Sequence, residues 1–175
     1  GFVGEEGKYM KIAVCPGSFD PVTYGHLDII TRACDIFDRV YVAVLPNLGK
    51  EALFTPSERV EMLIRATKDL DTVICEEFNG LVVEYAKLRG AVAIVRGLRA
   101  VTDFEVELKM ASMNHYLDKD VETIFMMTSN EYSFLSSSAV KEVASLGGNV
   151  SAWVPSFVAE ALSRKYSHAQ KAEIS

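Results

Sequence analysis

Three short stretches gather side chains suited to binding anions. The first, "PGSFDPVTYGHLDII" (16–30), leaves an apolar run, packs two prolines and two glycines into a short segment, and sets His26 where a helix should begin. Unsatisfied N–H groups at a helix start, together with the helix dipole, favour negative charge. Ser18, the turn's amides and His26 could therefore hold a phosphate, although a plain strand-to-helix connection with His26 as a cap fits the same residues. The second stretch, "RGLRAVTD" (96–103), places Arg96 and Arg99 around Gly97. Their planar, permanently charged guanidiniums match phosphate geometry, and ordinary surface ion pairs are the alternative. The third, "SFLSSSAVKEV" (133–143), sets Ser136, Ser137 and Ser138 at another helix start, where serines also serve as N-caps. Lys50, in a Gly-Lys loop, is a weaker fourth candidate.

Other chemistries find less support. There is no Walker A sequence, no Gly-x-Gly-x-x-Gly fingerprint and no His-Glu-x-x-His motif. Ser18 lacks a Gly-x-Ser-x-Gly elbow, and three histidines in the whole chain offer little for a hydrolase triad. The inventory favours phosphate handling without a covalent nucleophile. Cys15, Cys34 and Cys75 are odd in number and far apart, so they suggest neither a disulfide framework nor a zinc site. They read as small core residues in a reducing compartment. The net charge of −6 argues against a nucleic-acid binder with a broad basic face. Without an apolar run near the roughly 20 residues of a membrane helix, or a signal-peptide pattern, the expected location is the cytoplasm.

The elements that must position these residues follow from periodicity. Windows 11–15, 40–45, 72–75, 92–95 and 123–127 are almost continuously apolar, as for parallel strands covered on both faces. Helices are expected between them. Leu27, Ile30, Cys34 and Phe37 form one stripe; Thr55, Pro56 and Glu58 form a capped start before Val60, Leu63, Ile64 and Thr67. Residues 81–90 read as a helix with a glycine stop, 103–117 as a longer amphipathic helix, and two more helices follow the serine cluster. The fold expected is α/β: a Rossmann-like, doubly wound, five-stranded parallel sheet with helices on both faces. Residues 1–9 read as an appended or loose extension, 10–166 as a single domain and 167–175 as a loose tail. In such sheets ligands bind beyond the carboxyl ends of the strands, where strand order reverses. The loops after the first and fourth strands, which carry Ser18, His26, Arg96 and Arg99, should meet there.

Read together, "PGSFDPVTYGH", "RGLRAVTDFEVELKMASMN" and "SFLSSSAVKEVA" resemble, in order and spacing, the bacterial phosphopantetheine adenylyltransferase family of the HxGH nucleotidyltransferases, with Thr23 in the first-histidine position. The resemblance covers about residues 10–165. It implies transfer of AMP from ATP to 4′-phosphopantetheine, giving dephospho-coenzyme A and pyrophosphate, with Mg²⁺ as cofactor and a homohexamer built as a dimer of trimers. It implies catalytic roles for His26, Ser18, Lys50 and Arg99. It places Ser18, Lys50, Val82 and Arg96 against phosphopantetheine, and assigns the ATP side to Ser18, Phe19, His26, Gly97, Leu98, Arg99, Glu107, Tyr132, Ser133, Phe134, Leu135, Ser136, Ser137 and Ser138. No protein ligand to a metal is implied. A related nucleotidyltransferase with another phosphorylated acceptor, or a non-catalytic nucleotide-binding regulator, is the alternative.

Overall fold

In a computed structural model, residues 9–46, 48–49, 51–102 and 104–174 are described, with backbone only for 168–174. Five strands, β1 (Ile12–Gly17), β2 (Arg39–Val44), β3 (Val73–Glu77), β4 (Ala93–Leu98) and β5 (Glu122–Met127), form one sheet in the order β3-β2-β1-β4-β5. All pairs are parallel; Ile12 lies opposite Arg39, and Ala13 opposite Ala93. The central β1 has neighbours reached by opposite turns of the chain, so the loops after β1 and β4 open onto one crevice, as expected.

The helices are α1 (Tyr24–Ile36), α2 (Pro56–Ala66), α3 (Val82–Leu88), α4 (Phe104–Leu117), α5 (Ser137–Ser145) and α6 (Ser156–Ile174). The unbroken apolar strands are explained by what lies on either side. Ala13, Cys15, Val40, Val42, Val44, Ala93 and Val95 face a core that includes Ile30 of α1, Leu63 of α2, Val140 of α5 and Leu162 of α6. The alternate residues Ile12, Val14, Ala43 and Ile94 face a smaller core against Val83, Tyr85 and Ala86 of α3. Burial holds the Cys15 thiol up at about 12, an inert core group like the expected reading.

Two expectations change. Ile64, assigned to the buried stripe of α2, is 53% exposed, while the charged Arg59 is buried in its place. Helix α4 has no buried residue and is not amphipathic toward the core; Phe104, Leu108, Met110 and Met113 are all about half exposed. Its apolar positions fall on every side, so the count of hydrophobic residues misled where their period was absent. The last helix runs from Ser156 to Ile174.

Candidate functional site

The turn after β1 is tied to three other segments. Phe19 adopts φ +49, uncommon for a residue with a Cβ, and its ring meets His26 edge-on with centroids 4.9 Å apart. Gly17 makes room, since a Cβ there would stand 3.1 Å from the Phe19 ring. Asp20 is 2% exposed; its carboxylate accepts from the N–H groups of Leu53 and Phe54, both at 2.9 Å, and pairs with Lys141 of α5 at 3.0 Å. Ser137 adds a second tie from α5, donating to the Pro21 carbonyl at 2.8 Å.

Beyond this turn, Thr23 caps α1 and His26 occupies the third helical position, each bonded to the other's backbone N–H. The N–H of Thr23 donates to Nδ1 of His26 at 3.0 Å. A nitrogen that accepts carries no proton in the neutral ring, so Nε2 carries it and is left as a donor. Burial, then the charges of Arg99 and Arg96, lower the His26 pKa to about 3. The ring is therefore neutral at physiological pH, and capping α1 through Nδ1 leaves the Nε2–H as a donor.

That shift carries a stability consequence. Unfolded histidine titrates near 6.5, so below that pH the unfolded chain binds a proton the folded one refuses, and stability falls as pH drops toward 3. Between pH 6.5 and 5 this group should remove about 1–2 kcal/mol. Urea midpoints of wild type and His26→Asn, whose amide oxygen can still accept from Thr23, should diverge over that interval; parallel curves would show that the folded ring protonates freely.

The loop after β4 faces the turn. Arg96 donates through Nη2 and Nε to Glu107 of α4, at 2.5 and 2.9 Å, and through Nη1 to the Pro16 carbonyl at 2.8 Å. Arg99 reaches the Leu135 carbonyl just before α5, whose N-cap Ser136 accepts from the N–H of Ala139 at 3.0 Å. Gly97 is required by close packing, because a Cβ would fall 2.9 Å from Ile29 of α1.

These parts enclose a cavity of about 390 Å³. Of the residues expected at the site, Ser18, Phe19, His26, Arg96, Gly97, Arg99, Glu107, Leu135, Ser136, Ser137 and Ser138 line it. Leu98, Tyr132, Ser133 and Phe134 lie outside that lining, and Phe134 is 76% exposed. Val82 packs against the α3 core instead. Lys50 lies outside the described residues. Sequence reasoning passed over Asp20, Thr102, Thr128 and Lys141, which also line the cavity. Lys141 was legible in part, one helical turn beyond Ser137 on the same side of α5. In a chain of net charge −6, the lining sets Arg96, Arg99 and Lys141 against Asp20 and Glu107, so the charge around the cavity is locally positive.

A five-stranded parallel sheet with a cationic crevice over β1 and β4, entered by two helix starts, defines a Rossmann-like α/β protein with a crevice suited to anions. The sequence pattern of the cytidylyltransferase-like family matches residues 14–143, most of the chain, and the chain belongs to that family. Among solved structures, one from Vibrio parahaemolyticus, assigned on uncertain grounds as a nicotinate-nucleotide adenylyltransferase, is similar at 17% identity and TM-score 0.67, covering 90% of this chain and 96% of the other. The lipopolysaccharide core biosynthesis protein from Thermoplasma volcanium is similar at 19% identity and TM-score 0.50, over 69% of this chain and 98% of its own. At these identities the likeness is one of fold.

Proposed function

We propose that the protein transfers AMP from ATP to 4′-phosphopantetheine, forming dephospho-coenzyme A and releasing pyrophosphate. The observation that carries the transfer is the neutral Nε2–H of His26, oriented from behind by Thr23, in a cavity lined by Arg96, Arg99 and the start of α5. The acceptor is the one implied by the resemblance of the three sequence blocks to the phosphopantetheine adenylyltransferase family.

The acceptor phosphate brings its own anionic oxygen, so no catalytic serine, cysteine or general base is needed. That oxygen attacks the α-phosphorus; the bond from phosphorus to the bridging oxygen breaks, and pyrophosphate leaves with the electron pair. Positioning and charge stabilisation supply the catalysis. His26 donates to an α-phosphate oxygen, Arg99 with the Ser136–Ser138 helix start grips the leaving phosphates, and Arg96 and Lys50 hold the acceptor phosphate. Glu107, which neutralises Arg96 at 2.5 Å, keeps that guanidinium in place before the acceptor arrives. Asp20 and Glu107 are each engaged by a cation, so the residues fit Mg²⁺ as an ion carried by the nucleotide. Bound with the nucleotide, Mg²⁺ would supply charge neutralisation of the phosphates. The half-exposed apolar residues of α4, with Met127 at 66%, suit burial between copies and support assembly as a homohexamer.

Pyrophosphate release with ATP should depend on 4′-phosphopantetheine and not on nicotinate mononucleotide; release from CTP with glycerol 3-phosphate should be absent. A preference for either other acceptor would assign a sibling transferase, and tight ATP binding without release would assign a regulator.

A further inference from the structure

Arg59, in the first turn of α2, is 3% exposed. Its Nε donates to the Phe54 carbonyl at 3.1 Å, and its Nη1 donates to the carbonyls of Ser18 at 2.9 Å and Leu45 at 3.4 Å. No carboxylate stands within ion-pair distance of it among the described residues. Asp20, from the same junction, is committed to Lys141, and Glu58, next in sequence, bonds Lys165. Three carbonyls accept from Nε and Nη1 but leave a whole positive charge, and a buried cation is costly unless an anion compensates it. The turn above it also leaves the N–H groups of Ser18 and Phe19 without an acceptor among the described residues.

We propose that Arg59 is a positioning residue of the phosphate site: it fixes the Ser18 carbonyl from below, and its unpaired charge attracts a bound polyphosphate without touching it. The carbonyl ties link the ends of β1 and β2 and the start of α2, so one side chain sets the turn from which Ser18 and Phe19 meet the cavity. The low-dielectric surroundings of a residue this buried let its charge act over the short distance to the cavity more strongly than a surface cation could. This rests on reading the cavity as a polyphosphate site and is independent of which acceptor is used.

Inorganic tripolyphosphate is the probe, titrated calorimetrically into wild type, Arg59→Lys and Arg59→Gln after circular dichroism has confirmed the fold. Lysine keeps the charge and loses part of the carbonyl network; glutamine keeps much of the volume and loses the charge. Arg59→Gln should weaken tripolyphosphate binding about tenfold, while Arg59→Lys stays within about threefold of wild type. Unchanged affinity in Arg59→Gln, or equal losses in both variants, overturns the role of the charge. Should Arg59→Gln not fold, Arg59→Lys decides alone: affinity within threefold sustains the role of the charge and a tenfold loss overturns it. Wild type failing to bind tripolyphosphate would count against the phosphate site itself, a different failure from a variant that binds as well as wild type.

Discussion

His26→Ala should lower kcat for pyrophosphate release about 10²–10³-fold, the scale for removing one preorganised donor, with a much smaller change in the KM for ATP. The donor is preorganised because three features fix it before substrate arrives. The N–H of Thr23 at 3.0 Å settles the tautomer, the first turn of α1 sets the ring's origin, and the Phe19 ring packs edge-on against it with centroids 4.9 Å apart. Such a group stabilises charge that develops on the phosphate oxygens during transfer, which is why the loss should appear in kcat. The same geometry forecasts the pH profile. With a free-enzyme pKa of about 3, His26 should contribute no inflection to kcat/KM between pH 5 and 8. A variant turning over within threefold of wild type would remove His26 from the mechanism, and a histidine-like inflection that vanishes on mutation would replace its role as neutral donor with one as imidazolium.

The sheet was legible because strands covered on both faces leave unbroken apolar runs, and because the capped start at Thr55, Pro56 and Glu58 is a local signal. The meeting of the loops after β1 and β4 followed from the usual topology. What stayed hidden was decided by tertiary partners. Val82 matched a family position but packs on the α3 side of the sheet, away from the cavity, a difference of layer that no motif records. In α4 the apolar residues are many but aperiodic, so the expectation of a core-facing stripe rested on composition. Arg96 and Glu107 were assigned to different substrates, yet eleven residues of chain bring them into one ion pair. Nothing local to Asp20 shows that its carboxylate collects partners 33 and 121 residues away.

That carboxylate carries the other large expectation: Asp20→Ala should destabilise the protein by about 3–5 kcal/mol, the range for removing one partner of a buried ion pair. Side-chain exposure is 3% for Asp20 and 24% for Lys141, so the surviving ammonium would be only partly rehydrated. The N–H groups of Leu53 and Phe54 would also lose their acceptor, the second of them in a buried bond. Against a typical domain stability of about 5–15 kcal/mol, this is a large share, and at the lower end of that range it brings the protein near unfolding. Asp20→Asn keeps an acceptor oxygen and the side-chain volume and should lose less; Asp20→Asn combined with Lys141→Met relieves the stranded charge and should recover part of the difference. Urea titrations of the three variants test this, and a loss below 1 kcal/mol in Asp20→Ala would mean that water replaces the pair at little cost. Because the same carboxylate joins the Ser18–Pro21 turn to both the approach to α2 and the cavity wall of α5, folded Asp20→Asn should also turn over more slowly at low temperature. Loss of kcat without loss of fold would show that this junction sets the geometry of the turn as well as its stability.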